Sequence, residues 1–370
     1  MGARGARPAA LVAVVLALVA AGCVAPPATT PVPAWTDVTP AGVVPATVAT
    51  TPTGLLIAGT DGSEAAPAVV GLDGSPVPLV PTEPYAETAQ ISAVATAGDQ
   101  LYLLGGRSGG AHGNVRWTVW DGPLAGPVTS RPQEFFTFGG HDAGPLLGVV
   151  VALGQPVIVG SRGDEGGPLA ALYMASGQTW HQLETPALLR SGKGGILSFT
   201  AATGTGDQVV IVGDVVTADA TGTVQTPALF HGTVGGSWAR IDLPVPSPRA
   251  PGLSHATAVA CTLDACWVAG WSGGPMVWRV SLVDGSVLTT SSLPGDARSD
   301  TDPAPLVALV DGRPVVLTDA APPTLAVLCH PTWTTFPAPR AAAALASVGN
   351  DLYVVAGTSP YLARVTLPAC

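Results

Sequence analysis

A sevenfold repetition constrains this chain more than any other feature of its sequence. The stretch ISAVATAGDQLYLLGG (91–106) predicts a β-hairpin, because a strand of small residues, a tight turn and an apolar strand ending in glycine follow one another. Six related stretches occur at 46–59, 146–160, 197–213, 255–270, 305–318 and 343–357. A unit copied seven times indicates a repeat architecture in which neighbouring units bury one another.

Two further strands follow the hairpin in most units. Third strands such as VRWTVW (115–120) are apolar, whereas fourth strands such as TWHQLETP (179–186) are polar and end in proline, as expected of exposed sheet edges. With 46 Gly, 37 Pro and only 11% charged residues, the chain suits short strands and turns better than helices. We therefore predict an all-β fold built from four-stranded units.

The count of fourth strands specifies the architecture further. Only six of them follow a third strand, and an isolated strand around Trp35–Pro40 precedes the first unit. A ring in which the last unit borrows a strand from the other end of the chain explains both facts. The sequence thus predicts a seven-bladed β-propeller over residues 35–370, closed by an N-terminal strand. A β-sandwich or a β-helix is the rival fold, and neither explains the displaced strand.

The N-terminus has the features of an export signal. Arg4 and Arg7 precede an apolar run, Ala9 to Ala21, that is too short to span a bilayer as a helix. The run ends in Val-Ala-Ala-Gly-Cys (19–23), which resembles the lipobox of bacterial lipoproteins, although Ala20 stands where that family usually has leucine. An ordinary secretory signal that happens to end beside a cysteine is the alternative.

The resemblance implies how the chain is divided into regions and where the protein is located. Residues 1–22 would be a lipoprotein signal peptide, Cys23 the lipidated first mature residue, 23–34 a Pro-rich tether, and 35–370 the propeller. The protein would then be lipid-anchored on the extracytoplasmic face of the cell membrane. With 15 basic against 25 acidic residues, nucleic acid is not an expected partner, and we expect a monomer.

The remaining four cysteines predict two disulfides, which an exported chain can form. Cys261 and Cys266 flank the turn of one hairpin and should face each other, which leaves Cys329 to pair with Cys370. Metal binding by Cys261 and Cys266 is the alternative, but no cluster of histidines or cysteines accompanies them. We predict no resident metal and no cofactor.

Loops that join fourth to first strands and second to third strands share one face of a propeller, which we call the top face. Polar and aromatic residues in those loops are the candidate ligand-binding residues: His141, Asp142, Lys193, His255, Asp302, Arg340, Arg107, Arg162 and Trp271. Solvation alone can explain polar loops. A metal held by His141, Asp142, His255 and Asp302 is chemically possible, but their spacing is not diagnostic.

Short motifs resemble two propeller families. LYLLGG (101–106) resembles the strand and double glycine of kelch repeats, and Gly177-Gln178-Thr179-Trp180 resembles the end of the Asp-box of sialidase-like repeats, with Ala175 where the aspartate would stand. The second resemblance implies a glycoside hydrolase as an alternative function, with an arginine cluster formed by Arg107, Arg162 and Arg340, and with Tyr85 beside Glu83 or Glu87.

No nucleophile elbow or phosphate-binding loop is present, so the sequence favours binding over catalysis, and we assign no catalytic residue. We therefore predict a membrane-anchored, extracytoplasmic binding or scaffold protein of the bacterial cell envelope. Its ligand, a protein or a glycan, would be engaged on the top face.

Overall fold

The computed structural model describes residues 32–62, 65–109, 114–220, 222–246, 254–295, 304–319 and 322–370. The predicted signal peptide, the lipidation residue Cys23, most of the tether and Asp302 lie outside these residues. No helix among the described residues is long and apolar enough to cross a bilayer.

Strands account for nearly all the regular structure of the first three blades. A short strand, β1 (Thr36–Asp37), precedes them. Blade 1 contains β2 (Val44–Thr51), β3 (Gly54–Thr60) and β4 (Pro67–Gly71), and is followed by β5 (Leu79–Val80) and a 3₁₀ turn (Ala86–Thr88). Blade 2 contains β6 (Gln90–Ala97), β7 (Gln100–Arg107), β8 (Arg116–Pro123) and β9 (Val128–Arg131), and is followed by the helix α1 (Phe135–Phe138). Blade 3 contains β10 (Ala143–Ala152), β11 (Gln155–Asp164), β12 (Gly167–Ser176) and β13 (Thr179–Gln182), and is followed by a 3₁₀ turn (Ala187–Leu189).

The last four blades repeat the same order of strands. Blade 4 contains β14 (Ile196–Thr205), β15 (Gln208–Asp219), β16 (Gly222–Thr233) and β17 (Trp238–Asp242). Blade 5 contains β18 (Ser254–Cys261), β19 (Ala265–Ser272), β20 (Pro275–Ser281) and β21 (Val287–Ser292). Blade 6 contains β22 (Leu306–Val310), β23 (Arg313–Thr318), β24 (Thr324–Cys329) and β25 (Thr332–Pro337). Blade 7 contains β26 (Ala344–Val348), β27 (Asp351–Ala356) and β28 (Tyr361–Thr366).

The seven blades close into a ring. Each first strand packs against the first strand of the next blade, from β2 through β6, β10, β14, β18 and β22 to β26, which returns to β2. β1 pairs antiparallel with β28 as the outer strand of blade 7. Trp35 reaches the preceding blade, because its indole N–H donates to the Pro337 carbonyl at 2.9 Å. The predicted seven-bladed propeller closed by an N-terminal strand is confirmed, although the closing strand is shorter than expected.

The core lies between the blades. Seven clusters of buried apolar residues occur, one at each interface between adjacent blades. On β15, Val209 and Ile211 pack towards blade 3, whereas Val210 and Val212 pack towards blade 5. Because successive strand residues point to opposite faces, a blade buried on both sides needs a continuous apolar run. This explains why the second strands do not alternate in polarity.

A β-bulge recurs near the top of the first strand in blades 1 to 5. The extra residue in blade 4 is Thr200, and its hydroxyl donates across the interface to the Ala256 carbonyl at 2.7 Å. The equivalent Thr257 of blade 5 donates to the Pro305 carbonyl of blade 6 at 2.8 Å. The hydroxyls of the first strands therefore link neighbouring blades around the axis.

Blade 1 departs from the prediction. The sequence predicts a fourth strand after each of the first six third strands, but in blade 1 the stretch 75–81 is held to β4 only by the Val70–Pro76 bridge, which consists of two backbone hydrogen bonds. The chain then crosses to blade 2, where β5 pairs in parallel with β9. Pro76 and Pro78 lack the N–H groups that a regular strand edge offers, and Thr82 instead hydrogen-bonds through its amide and hydroxyl to buried Ser130.

Both predicted disulfides are present. Cys261 and Cys266 are direct partners across the β18–β19 hairpin, with their Cα atoms 4.0 Å apart. Cys329, at the end of β24, pairs with Cys370, at the C-terminus of the chain, with their Cα atoms 5.2 Å apart. The second bridge joins the C-terminal segment of blade 7 to blade 6.

Candidate functional site

Three adjoining cavities open on the top face between blades 1, 2 and 3, with volumes of about 180, 130 and 400 Å³. Val115, at the start of the third strand of blade 2, lines all three of them. Arg116 lines the first two, and Trp117 lines the first and the third. The walls come from the loops after blade 1 and after blade 2. We call this set of cavities the Arg116 groove.

The guanidinium of Arg116 is held by aromatic rings rather than by carboxylates. Its central carbon lies 4.5 Å from the ring centroid of Phe135 and 5.5 Å from that of Tyr85, which are cation–π distances. The Nε–H of Arg116 is buried and finds no hydrogen-bond partner among the described residues. A buried donor without an acceptor is unfavourable, so the side chain of Arg116 keeps an unused hydrogen-bond donor.

Other arginines of this acidic chain are paired differently. Four of them form ion pairs with aspartates: Arg131 with Asp121, Arg190 with Asp164, Arg240 with Asp242, and Arg364 with Asp351. No ion pair within the described part of the chain involves Arg116 or its cross-strand neighbour Arg107. Two cations therefore stand side by side at the open end of β7 and β8.

Helix α1 presents the aromatic wall of the groove. Phe138 is buried and packs edge to face on Tyr173 with the ring centroids 4.9 Å apart. Phe135 and Phe136 are 48% and 73% exposed and lie edge to face with each other. Arg162 supports the helix, because its Nη1 lies 3.4 Å from the carbonyl oxygens of both Phe136 and Gly139. The exposed rings are thus fixed on a packed base.

The polar side chains of the groove differ in what they can offer a ligand. The side chain of Gln133 is partly used within the protein, because its carbonyl accepts from the Trp180 amide and its NH₂ donates to the Arg131 carbonyl. Burial raises the pKa of the Glu83 carboxyl, which lies in the wall of the 180 Å³ cavity beside Tyr85. Glu134 is exposed at the rim.

The predicted top-face residues fall into two groups. Three of them belong to the Arg116 groove or its support: Arg107 lines the 400 Å³ cavity, His141 lines the 130 Å³ cavity, and Arg162 holds α1. Asp142 lies beside His141, with 3.2 Å between Oδ1 and Nδ1. The others lie away from the groove: Lys193 is exposed after blade 3, His255 pairs in register with Trp271 in blade 5, and Arg340 is exposed before blade 7. Trp271 is only 1% exposed.

The surroundings of the three arginines give no support to a glycoside hydrolase. Arg107 lines an open cavity of blade 2, Arg162 donates to the carbonyls of α1, and Arg340 lies next to Ala341, whose amide is bound by Asp319 near blade 6. No group of three metal-ligating side chains gathers anywhere in the described ranges.

Sequence reasoning missed Arg116, Phe135, Phe136 and Glu134. Arg116 was assigned to the third strand of blade 2, which left its position at the top end unnoticed. A signal for the aromatic residues did exist, since Phe135, Phe136 and Phe138 are three of the chain's six phenylalanines and share one loop. A cluster of exposed-loop phenylalanines is unusual for a solvated connection.

No protein-family model matches the chain, and no curated protein matches its sequence. The fold is similar to that of solved structures. The structure of U3-55K matches with a TM-score of 0.54 and 10% sequence identity, over 90% of this chain and 98% of that one. The structure of the Dos1 propeller matches with a TM-score of 0.47 and 10% identity, over 90% and 93%. At this level of identity the similarity concerns the fold alone.

Proposed function

We propose that this chain is a lipoprotein of the bacterial cell envelope that binds a protein or a glycan on the top face of its propeller. Residues 1–22 would be removed on export, Cys23 would carry the lipid, and 23–34 would tether residues 35–370 to the extracytoplasmic face of the cell membrane. The N-terminal sequence supports the anchoring half of this proposal, and the protein would act as a monomer without catalysis.

The observation that carries the binding half is the Arg116 groove. Among the described residues it combines a buried donor without an acceptor, two arginines without a carboxylate partner, and exposed aromatic rings on a packed support. Convergent polar groups inside an apolar concavity are typical of ligand sites. Solvated loops on a structural scaffold need none of these features.

Site-specific photo-crosslinking in the native cells tests this function. A photoreactive amino acid at Phe136 should yield an adduct with an envelope component, and the adduct should disappear in an Arg116→Gln background. The matched control places the same probe at Val283, an exposed apolar residue at a turn of the opposite face. Equal adducts from both positions, or none from either, would refute binding at the top face.

A further inference from the structure

We infer that the Arg116 groove binds the free C-terminal carboxylate of a peptide whose last side chain is apolar. This inference rests on the proposed function, because it assigns a ligand class to the same groove. The carboxylate would be taken by the guanidinium of Arg116, and the apolar side chain by the adjoining aromatic cavity of about 180 Å³.

The free hydrogen-bonding capacity of Arg116 points to an anion. A guanidinium matches a carboxylate through two parallel N–H···O bonds, and its Nε–H is one of the donors of that fork. In the described structure this N–H is buried without an acceptor. Because that N–H has almost no accessible surface, a ligand carboxylate pairs with it only when the half-exposed Phe135 ring shifts, and it then satisfies a donor that the protein itself leaves unsatisfied.

The neighbours of Arg116 leave it available for such a ligand. Phe135 and Tyr85 contact the guanidinium through their rings, and ring contacts orient it without using its N–H groups. Arg107, directly opposite across β7 and β8, adds a second positive charge to the same end of the hairpin. Like charges side by side are unfavourable, and a bound anion would relieve that repulsion.

The carboxylates in the groove do not neutralise Arg116. Burial raises the pKa of Glu83, as expected of an acid that lacks a close cationic partner. Glu83 and Glu134 would both repel a ligand carboxylate when ionised, so their charge opposes binding. Replacing Glu83 by Gln should accordingly strengthen binding of the anion.

The lining favours a peptide over an acidic glycan. The apolar side chains that line the 180 Å³ cavity are Val115, Trp117, Phe135 and Phe138, and the others besides Arg116 and the two glutamates are Tyr85, Gln133 and Gly139. The amide of Gln133 already makes two hydrogen bonds within the protein, which leaves at most one N–H and one lone pair for a sugar hydroxyl. A C-terminal residue carries a carboxylate and an apolar side chain on the same carbon, which matches the fork and the cavity next to it.

A peptide array with the full-length chain in detergent tests the inference. Short peptides ending in alanine, valine, leucine or phenylalanine are displayed in two forms, with a free C-terminal carboxylate and with a C-terminal amide. A subset of the free-acid peptides should bind, and their amides about tenfold more weakly or not at all. Arg116→Gln should abolish binding, and Arg116→Lys should weaken it about tenfold, because lysine lacks the planar fork. Glu83→Gln should bind more tightly than the wild type.

Arg340→Gln is the matched control, because Arg340 is an exposed top-face arginine outside the groove, and it should bind like the wild type. Near-ultraviolet circular dichroism confirms that each variant is folded. The inference is wrong if free-acid and amide peptides bind equally, or if no peptide binds the wild type more tightly than it binds Arg116→Gln. It is also wrong if only uronic-acid oligosaccharides bind through Arg116. If crosslinking from Phe136 still captures an envelope component in any of these cases, the proposed function stands and only the ligand class fails.

Discussion

A glycine within the second strand is a steric requirement of the bulge opposite it. In blades 1 to 5 this position holds Gly59, Gly105, Gly160, Gly213 and Gly270, and a bulge interrupts the first strand in each of these blades. A Cβ on Gly213 would collide with the backbone carbonyl of Ser198. Blades 6 and 7 have Thr318 and Ala356 at this position, and the pairing of their first and second strands ends one residue before it, at Leu317 and Val355.

Gly213→Ala should therefore destabilise the propeller by about 1–3 kcal/mol, because the first strand must shift to admit a methyl group in a packed interior. The measurement is the midpoint of urea unfolding. Gly192→Ala is the control, since a Cβ there meets open space and the glycine has no positive φ. A Gly213→Ala variant as stable as Gly192→Ala would show that the bulge relaxes freely.

Asp214 is a buried carboxyl whose charge costs stability. Burial raises its pKa, and the hydrogen bond from Gln225 at 2.9 Å only partly opposes this effect. Because the folded pKa lies above the unfolded value, the stability that Asp214 contributes is fully present at acid pH and is lost as the pH rises through the folded pKa.

Asp214→Asn should be as stable as the wild type near the unfolded pKa of about 4 and more stable at neutral pH, since the amide keeps an acceptor for Gln225 without a charge. Melting temperatures of both proteins between these pH values provide the measurement. If the melting temperatures of the two proteins change with pH in parallel across this range, the pKa of Asp214 is not raised by folding.

At the scale of elements, the outer edges differ more than the inner hairpins. Six blades have a regular fourth strand, whereas the corresponding stretch of blade 1 crosses to blade 2 through β5. The hydrogen bonds of Thr82 to Ser130 fix this crossing, and it leads the chain into the loop that carries Glu83 and Tyr85. The unusual edge of blade 1 thus positions one wall of the Arg116 groove.

The two disulfides should contribute unequally, because they close loops of different length. Cys329 and Cys370 are 41 positions apart and Cys261 and Cys266 are 5 apart. On loop-closure entropy, replacing the first pair by alanine should cost about 4 kcal/mol and replacing the second about 2 kcal/mol. Urea unfolding of the two double variants measures the difference, and an equal loss would mean that native packing, rather than chain entropy, dominates.

At the scale of the whole molecule, ring closure and the proposed membrane attachment would involve the same end of the chain. Trp35, Thr36 and Asp37 close blade 7, so the lipid anchor proposed at Cys23 would pull on the closing strand. Cys23→Ala should release the protein from the membrane into the medium and abolish palmitate labelling. Fractionation of cells and medium checks this, with Cys261→Ala/Cys266→Ala as a cysteine control that stays bound. Membrane retention of Cys23→Ala would place the anchor elsewhere.

The direction of β1 predicts the orientation that the proposed anchor would give the propeller. As an outer strand it runs from the bottom face to the top face, so a tether that precedes it would start from the bottom rim and the Arg116 groove would face away from the lipid. Exposed apolar residues at bottom turns, Leu153, Leu263 and Val283, are consistent with that arrangement. On intact cells, a thiol reagent should label Glu165→Cys at the top faster than Val283→Cys at the bottom. Faster labelling of Val283→Cys would reverse the orientation.

The sequence by itself determined the repeat number, the strand types, the closing strand and the disulfide pairs. These features depend on local patterns, namely apolar runs, turn glycines and prolines, and on the single order in which a ring can be closed. Val209 to Val212 already show in sequence that their strand is buried on both faces. That Cys23 carries a lipid stays a prediction.

Only the tertiary structure decided where the groove lies. The groove is formed by Tyr85 in the loop before blade 2, Arg116 at a strand end of blade 2, and Phe135 in the helix after blade 2. No local sequence pattern links these three residues. Packing of neighbouring blades around the axis brings these segments together, and the missing N–H groups of Pro76 and Pro78 turn the first of them towards blade 2. Arg116 becomes a candidate receptor only because folding buries its Nε–H among rings instead of beside a carboxylate.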